Sequence, residues 1–378
     1  MGTYIAGDNI ITSLGFTTAA NFEKISAGTT GVAITGDTNL YPEPFPASLV
    51  DKSILHSAAT EAGIDKSYTH FEQLIILSVT KALAGLGIEL SAPETLLVIS
   101  TTKGNIDLLK DNQGFPEERV HLWKSAQEIG KYFHAPQTPV VISNACVSGV
   151  LAMLYAHRLM TQGHYKNIIV CGCDVLSEFI VSGFQSFFSL SKEVCKPFDK
   201  DRTGLTLGEG AGTVVLTSDK DICPRPLIEI VTGSGSNDAN HISGPSRTGE
   251  GLYIAIRDIL NGYNNIDFIS AHGTATAYND DMESTAFTRL SLSHVPVNSY
   301  KGYIGHTLGA AGVIESVFCF ETMRKDLLVK TFGFENLGTV ESLNVIGSNI
   351  SKPVKTVLKT ASGFGGSNAV VLFRKEDE

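Results

Sequence analysis

The 378-residue sequence predicts an α/β fold whose strands are mostly buried. Apolar, β-branched runs alternate along the chain with longer segments of helical pattern, and this alternation is typical of helices packed on both faces of a largely parallel sheet. A second observation is an internal similarity between the two parts of the chain. Together the two observations predict two related α/β halves, residues 1–220 and 221–378.

Local patterning predicts the individual elements. Apolar residues at helical spacing, ended by a glycine, predict helices over 70–87 and 147–163. Short β-branched runs predict strands in the first half. These strands are TLLVIS (95–100), PVVIS (139–143), NIIVCGC (167–173) and AGTVVL (211–216). Strands of the second half are predicted within LIEIVTGSGS (227–236), IDFISAHG (266–273), HVPVNSY (294–300) and AVVLFR (369–374).

The internal similarity consists of two pairs of segments. Residues 208–221 and 363–377 both contain a glycine turn, a strand and then a charged stretch. Residues 138–153 and 295–316 both run from a strand through a polar turn into a helix of small residues. Two similar halves, joined near residues 218–226, would explain both pairs.

Composition limits the partners and the location that the sequence predicts. A net charge of -10 disfavours nucleic acid and anionic membranes as partners. No run reaches the roughly 18 uninterrupted apolar residues of a membrane span, and the N-terminal segment lacks a signal-peptide pattern. The six cysteines include no C-x-x-C pair. The sequence therefore predicts a cytoplasmic protein with reduced thiols and no membrane association.

Three reactive side chains lie at predicted strand-to-helix turns. Cys146 lies in VVISNACVSGVLAML, His272 in SAHGTATAYNDDMES and His306 in KGYIGHTLGAAG. α/β sheets build their sites at such turns, beyond the ends of the strands. Taken alone, Cys146 could be a buried structural cysteine that packs as a small hydrophobe. Together with two histidines it predicts a nucleophile with two proton or hydrogen-bond donors, whose thiolate is favoured by the positive end of the following helix.

Two glycine-rich segments and one acidic segment leave alternatives open. GAAG (309–312) allows a helix to approach another backbone closely, whereas GFGGSN (363–368) either packs closely or directs N–H groups into a site as an oxyanion hole. In NDDMES, Asp280 and Glu283 have the spacing of a helix capping box, which is favoured over a metal cluster. No metal is therefore predicted.

The motifs, in this order, resemble those of the β-ketoacyl-acyl carrier protein synthases of the Cys-His-His type, which elongate fatty acids and polyketides. The resemblance covers nearly the whole chain and rests on ITSLG, ISAGTTGV, NACVSG, KPFDKDRTGLTLGEGAGTVVL, AHGTAT, KGYIGHTLGAAGVIES and GFGGSN. It implies a thiolase-like fold, in which two similar βα halves form a layered α/β/α/β/α core.

The resemblance also implies roles for the catalytic residues. Cys146 matches the nucleophile that accepts the acyl group. His272 and His306 match the histidine pair that stabilises the enolate formed when a malonyl thioester loses carbon dioxide. Lys301 matches the supporting lysine of the family. Phe364 matches the gate aromatic residue, and its N–H is expected to form an oxyanion hole with that of Cys146.

A further set of residues is implied to support the site or to bind substrate. Glu315 matches the carboxylate partner of the lysine, and Thr274 and Thr276 match residues that hydrogen-bond the phosphopantetheine arm. Lys196 stands where a basic residue often meets the carrier protein. Lys103 stands where the acyl pocket usually has an aliphatic side chain, so we expect an acyl preference other than long saturated chains.

The implied reaction is a decarboxylative Claisen condensation of malonyl-acyl carrier protein with an acyl group on Cys146. No cofactor is expected beyond the phosphopantetheine arm of the carrier protein. The implied partners are an acyl carrier protein and a second copy of the chain, paired across PVVIS, or a cysteine-less partner in a heterodimer.

Three other functions are disfavoured. The chain could be the binding subunit of a ketosynthase/chain-length-factor pair, but such subunits usually lack the cysteine that is present here. A thiolase would need a second catalytic cysteine near the C-terminus. A Cys-His-Asn starter synthase would have asparagine in place of His306.

Overall fold

The computed structural model of the protein describes residues 2–260, 262–263 and 265–376. The outer ends of the predicted halves, residues 1 and 378, and the last residue of the predicted repeat, 377, lie outside the described residues. Within the described residues the chain forms sixteen strands. They are β1 (Tyr4–Ile11), β2 (Ala33–Thr35), β3 (Phe45–Ser48), β4 (Thr95–Ser100), β5 (Val140–Ile142), β6 (Asn167–Asp174), β7 (Leu207–Gly208), β8 (Gly210–Thr217), β9 (Ile228–Asn237), β10 (Phe268–Ser270), β11 (Pro296–Asn298), β12 (Leu327–Leu328), β13 (Asn344–Val345), β14 (Ile350–Ser351), β15 (Thr356–Gly363) and β16 (Ser367–Lys375).

The same described ranges contain ten α-helices, joined by loops and four short 3₁₀ turns. The helices are α1 (Thr18–Ser26), α2 (Lys52–Glu61), α3 (His70–Leu83), α4 (Leu122–Tyr132), α5 (Ser148–Thr161), α6 (Glu178–Ser186), α7 (Glu250–Leu260), α8 (Ala277–Arg289), α9 (Lys301–Ile304) and α10 (Ala311–Lys325). None of these helices combines the length and the apolar character needed to cross a lipid bilayer.

Eleven of the strands form one central sheet, and its strand order repeats on either side of the centre. The order is β13-β11-β10-β15-β16-β9-β1-β8-β6-β4-β5. Outward from the centre, β1, β8, β6, β4 and β5 correspond to β9, β16, β15, β10 and β11. In each half the first two pairings are antiparallel and the next two are parallel. These matching pairings show that the two halves share one topology. The halves meet where β1 runs antiparallel to β9.

The helices divide into three layers around the two halves of the sheet. On one outer face, α3 packs against β1, β6 and β8. On the other, α7 packs against β9 and β16, and α8 lies against α7. Between the halves, α5 and α10 contact each other, and each touches strands of both halves. The molecule therefore has the layered α/β/α/β/α arrangement.

The two central helices approach each other at a glycine on each helix. A Cβ atom at Gly312 would lie 2.5 Å from the backbone nitrogen of Val150, and one at Gly149 would lie 2.8 Å from that of Val313. Only glycine allows backbones to come this close, which confirms the close approach predicted for GAAG. The crossing brings the first turns of α5 and α10 together, and Cys146 and His306 lie just before those turns.

Most predicted elements are present, with small changes at their ends. The helix predicted over 70–87 is α3, which begins with a capping box between Thr69 and Glu72 and ends four residues early. The strands predicted in TLLVIS, PVVIS, NIIVCGC and AGTVVL are β4, β5, β6 and β8. The pattern analysis missed β15, because Lys359 interrupts its apolar run and yet is fully buried.

Candidate active site

The structure brings Cys146, His272 and His306 together. All three are buried, and the cysteine sulfur and one nitrogen of each imidazole lie within 4.8 Å of one another. The two imidazole rings are edge to face, with centroids 5.1 Å apart. Three side chains separated by up to 160 positions in sequence thus face a common point.

Cys146 lies at a sharp turn between β5 and α5. Ala145, directly before it, has a φ of 45°, which is in the left-handed region that residues other than glycine rarely adopt. The turn is held by Ser148, whose hydroxyl accepts a hydrogen bond from the backbone N–H of Asn144 at 2.8 Å and donates one to the carbonyl of Ala145 at 2.6 Å. Backbone strain of this kind is typical of functional sites.

Burial determines the protonation state of this cysteine. It raises the pKa of the Cys146 thiol to about 11, and the opposing effect of the Lys301 ammonium is smaller. The expected stabilisation of the thiolate by the helix end therefore does not prevail, because desolvation of the charged sulfur is the larger effect. At neutral pH the resting group is a thiol.

His306 is held in one tautomer. Its backbone N–H donates to the carbonyl of Thr206 at 2.7 Å. Its ring Nδ1 accepts a hydrogen bond from the backbone N–H of Leu308 at 3.2 Å, so the proton of the neutral ring lies on Nε2. Within the described residues, the buried Nε2 has no hydrogen-bond partner. His306 therefore presents an unused N–H donor to the site.

Gly305 makes this placement of His306 possible. It has a φ of 66°, and a Cβ atom there would lie 2.4 Å from the carbonyl oxygen of Leu207. The tight contact lets the backbone of His306 pair with the segment from Thr206 to Gly208.

The backbone of His272 is held on both sides. Its N–H donates to Glu283 Oε1 at 2.7 Å, and its carbonyl accepts from Lys301 Nζ at 2.5 Å. Burial is the main cause that holds the pKa of the imidazole well below 6.5, and the positive charge of Lys301 adds to it. The same two causes lower the pKa of His306 well below 6.5. Both rings are therefore neutral at pH 7.

Lys301 and Glu315 form a fully buried ion pair with an N–O distance of 2.7 Å. Glu315 is also paired with Lys359, whose Nζ lies 2.5 Å from its other carboxylate oxygen. Two ammonium groups therefore share one carboxylate beside the histidines. The first pair was implied by the family resemblance, but Lys359 was missed, because its strand β15 was itself not predicted.

The capping box predicted for Asp280 and Glu283 is wrong. The residue that caps α8 is Thr276, and it makes no side-chain capping bond. Asp280 instead accepts a hydrogen bond from the N–H of Thr274 at 3.0 Å, and Glu283 accepts from those of His272 and Gly273. The two carboxylates have the spacing of a capping box, but α8 begins at Ala277, before Asp280, and both side chains accept N–H groups of the preceding turn.

A cavity of about 810 Å³ opens onto Cys146 and both histidines. Phe364 lines it and stacks on Phe184, with ring centroids 5.5 Å apart. Phe187 meets the same ring edge on at 5.3 Å. Thr274 and Thr276 also line the cavity, with their hydroxyl oxygens 2.8 Å apart.

Comparison with known proteins gives a consistent result. The family model described as "Beta-ketoacyl synthase, N-terminal domain" matches residues 71–221, and "Beta-ketoacyl synthase, C-terminal domain" matches residues 228–335. The two matched ranges together make up more than half of the chain. The chain belongs to the β-ketoacyl synthase family.

Individual relatives are moderately similar. The chain is 31% identical over 279 residues to 3-oxoacyl-[acyl-carrier-protein] synthase 2 of Rhizobium meliloti, covering 69% of this chain and 66% of that protein. It is 30% identical over 263 residues to the mitochondrial 3-oxoacyl-[acyl-carrier-protein] synthase of Arabidopsis thaliana, covering 64% of this chain and 57% of that protein. The chain thus spans less than two thirds of the length of these relatives.

A solved structure extends the comparison to the whole fold. "The ishigamide ketosynthase/chain length factor" superimposes with a TM-score of 0.89 at 23% identity, over 100% of this chain and 99% of that one. The predicted thiolase-like α/β fold is thereby confirmed.

Two residues assigned to substrate or carrier binding lie outside the cavity of this β-ketoacyl synthase family member. Neither Lys196 nor Lys103 is among the described residues that line it. Lys196 is half-buried and lies 3.4 Å from Glu193. Lys103 is also half-buried, and its backbone N–H donates to the buried carboxylate of Asp174. Their roles stay predictions.

Asp174 was missed by the sequence analysis although it orders the neighbourhood of the site. Its carboxylate accepts hydrogen bonds from the backbone N–H groups of Thr102 and Lys103, and its Oδ2 also accepts one from the N–H of Gly309 at 2.7 Å. It therefore ties the loop after β4 to the turn that follows His306. A single aspartate at a strand end carries no spacing signal that could have revealed this.

Proposed function

We propose that the protein is a β-ketoacyl-acyl carrier protein synthase, an acyltransferase that condenses malonyl-acyl carrier protein with an acyl group on Cys146. The observation that carries the proposal is the meeting of one thiol and two neutral imidazoles in a single cavity, with His306 Nε2–H unused. Nothing in the chemistry requires a cofactor beyond the phosphopantetheine arm that carries each acyl group.

The first half-reaction transfers the acyl group. The sulfur of Cys146 attacks the carbonyl of an acyl thioester, the carrier leaves as a thiolate, and the thiol proton of Cys146 ends on that leaving group. Because the pKa of Cys146 is raised to about 11, this proton must be removed as the new C–S bond forms. In the proposal, N–H groups of Cys146 and Phe364 hold the oxyanion. The backbones of Gly363 and Cys146 are adjacent, since a Cβ at Gly363 would be 3.2 Å from the cysteine nitrogen.

The second half-reaction makes the carbon–carbon bond. Malonyl-carrier protein loses carbon dioxide, and the electron pair of the broken bond becomes an enolate whose oxygen accepts hydrogen bonds from the histidine pair. The enolate carbon attacks the acyl-Cys146 carbonyl, and the cysteine leaves as a thiolate that takes up one proton. His306 suits this role, since its tautomer and its free Nε2–H are preset before substrate arrives.

The proposal is tested by incubating the purified protein with malonyl-acyl carrier protein and a panel of acyl-carrier proteins. The panel includes saturated chains, short polar-ended chains, aryl groups and polyenes, and the product is the β-ketoacyl-carrier protein, detected by mass. We expect product with at least one class. No product with any of them would contradict the proposal. The ranking would place the enzyme in fatty acid, polyketide or aryl-polyene-type elongation.

The pH dependence of decarboxylation should reflect the lowered pKa values of the imidazoles. A protonated imidazole would place a second positive charge near Lys301, whereas a neutral imidazole donates its N–H hydrogen bond without that repulsion. The pKa values of both imidazoles lie well below 6.5. Protonation therefore begins only as the pH falls well below 6.5. We expect carbon dioxide release from malonyl-carrier protein to keep its rate as the pH is lowered through 6.5. An acid limb centred at the ordinary histidine value would contradict this assignment.

We also propose that the protein acts in the cytoplasm with an acyl carrier protein and pairs through β5. This strand lies at one edge of the central sheet, and its residues Val140–Ile142 are only half-buried in the single chain. An apolar edge strand of this kind is a template for pairing with another strand. A second copy would make a homodimer, and a cysteine-less relative would make a heterodimer.

Light scattering of the purified protein tests the pairing. We expect twice the mass of one chain at working concentration. A well-behaved monomer with full condensing activity would refute the homodimer. A monomer that becomes active only on addition of a cysteine-less relative would favour the heterodimer.

A further inference from the structure

The backbone carbonyls of Ser270, Ala271 and His272 all accept hydrogen bonds from two buried ammonium groups. Lys359 Nζ donates to the carbonyls of Ser270 at 3.2 Å and Ala271 at 3.3 Å. Lys301 Nζ donates to the carbonyl of His272 at 2.5 Å. Both ammonium groups are anchored by the two oxygens of Glu315. The carbonyl side of this turn is therefore clamped by a lysine–glutamate–lysine cluster.

The N–H side of the same turn is held by Glu283. Its oxygens accept hydrogen bonds from the N–H groups of His272 and Gly273, each at 2.7 Å. Glu283 is held in turn by the hydroxyl of Thr360 at 3.2 Å. Lys359 and Thr360 are neighbours on β15, whose Lys359 pairs with Ser270 of β10. Adjacent residues of one strand thus secure the turn of His272 from both sides.

The cluster also sets the charge around the imidazoles. Lys301 and Lys359 are completely buried, and Glu315 supplies one negative charge for two positive ones. Both lysines are among the causes that lower the pKa of His272 and of His306. Several titratable groups surround the pair. Those on the packed elements are Cys146 before α5, Asp174 at the end of β6, Asp280 and Glu283 on α8, Lys301 on α9, Glu315 on α10 and Lys359 on β15. Arg202, His241 and Arg247 line the same cavity.

We propose that Lys359 is a positioning residue of the decarboxylation step, which fixes the turn that carries His272 and adds positive charge beside the histidine pair. This inference rests on the proposed condensing function and adds a residue to it. Lys359 does not line the cavity, so it acts through His272 and through Glu315. Decarboxylation moves negative charge from the malonyl carboxylate to the enolate oxygen, and the positive charge of Lys359 beside the histidine pair favours that shift.

The test replaces Lys359 with methionine, which keeps the length of the side chain and removes its charge and N–H donors. Release of carbon dioxide from malonyl-carrier protein is measured from neutral pH down to the lowest pH at which each variant stays folded, because the pKa values of both imidazoles lie well below 6.5. We expect the maximal rate to fall roughly tenfold because the imidazole is less well placed. We also expect the acid limb to move to higher pH, since loss of a nearby positive charge makes the rings easier to protonate.

A second variant keeps the inference testable if Lys359→Met does not fold. Glu315→Gln removes the negative charge and leaves both ammonium groups, so the acid limb should move to lower pH. Opposite shifts from the two members of one ion pair would not arise from a merely structural role. The matched control is Lys375→Met, since Lys375 pairs with Asp326 at the far end of α10 and donates to the carbonyl of Met323. It should lower the melting temperature and leave the pH profile unchanged.

An NMR titration of the ¹⁵N-labelled imidazoles separates this inference from the proposed function. His272 and His306 are assigned from the signals lost in their asparagine variants, and the titration needs no turnover. An upward shift of the His272 pKa in Lys359→Met supports the inference even if the wild type releases no carbon dioxide, which would contradict only the proposed function. Unchanged imidazole titration and an unchanged acid limb in folded Lys359→Met or Glu315→Gln would overturn it.

Discussion

Replacing Cys146 with alanine should abolish condensation, with a loss on the order of 10⁴-fold or more, because removal of a covalent nucleophile leaves only binding and electrostatic contributions. Decarboxylation of malonyl-carrier protein should persist in Cys146→Ala, since both histidines and their partners are intact. The measurement compares β-ketoacyl product with released carbon dioxide in the same reaction. Cys223→Ala is the matched control, because Cys223 is buried to a similar degree and does not line the cavity.

Chemical labelling gives an independent view of the same residue. Iodoacetamide should alkylate Cys146 before the other five cysteines, since it alone among them lines the cavity. The reaction should be slow at neutral pH and accelerate as the pH rises towards about 11, because the thiolate is the reactive form and burial raises the pKa of this thiol. Preferential labelling of Cys171 or Cys319, with activity lost in step, would contradict the assignment.

The second large effect is expected for His306→Ala, which should separate the two half-reactions. The ring proton lies on Nε2, so His306 cannot take the thiol proton there and acylation of Cys146 should survive. Condensation should fall by about a hundred- to a thousandfold, which is the usual cost of removing one preorganised donor at a developing oxyanion. Intact mass reports the acyl-enzyme, and product analysis reports condensation.

The control for His306→Ala is His157→Ala. His157 is a half-buried histidine on α5 that hydrogen-bonds Thr3 and does not line the cavity, so its loss should leave both half-reactions in place. A His306→Ala enzyme that condenses at close to the wild-type rate would show that the free Nε2–H is not used. Loss of acylation to the same extent as condensation would show that the two steps are not divided as assigned.

The sequence predicted the three reactive side chains because each lies at a turn between a strand pattern and a helix pattern. That position has a physical meaning, since such turns gather at one place in a layered α/β fold. The glycine pair of α5 and α10 then decides how near Cys146 and His306 come to each other. Of that pair, only the half in GAAG was singled out from the sequence.

What the sequence could not predict is the support beneath the site. In the sequence Lys359 only interrupts an apolar run, and its role depends on Glu315 and on three carbonyl groups that accept its hydrogen bonds. Asp280 and Glu283 have capping-box spacing, but tertiary contacts direct them to the turn of His272. Charge burial of this kind depends on contacts between distant segments, and local patterns carry no record of such contacts.

The protonation state of Cys146 depends on the same long-range packing. The end of a helix favours a thiolate by an amount that falls off within one turn, whereas full burial penalises the charge from every direction. The effect of the helix end can be predicted from the sequence, whereas the effect of burial depends on the folded structure.

The central claim is that Cys146 holds an acyl group that a decarboxylated malonyl unit then removes, and peptide mapping by mass spectrometry tests it most directly. The wild-type protein is incubated with an acyl-carrier protein that the panel assay identifies as a substrate, digested, and mapped before and after malonyl-carrier protein is added. The account predicts a mass increase of one acyl group on the peptide that contains Cys146, discharged on addition of malonyl-carrier protein with equal amounts of carbon dioxide and β-ketoacyl-carrier protein. An acyl group found on a different residue, or one that malonyl-carrier protein leaves in place, would contradict it.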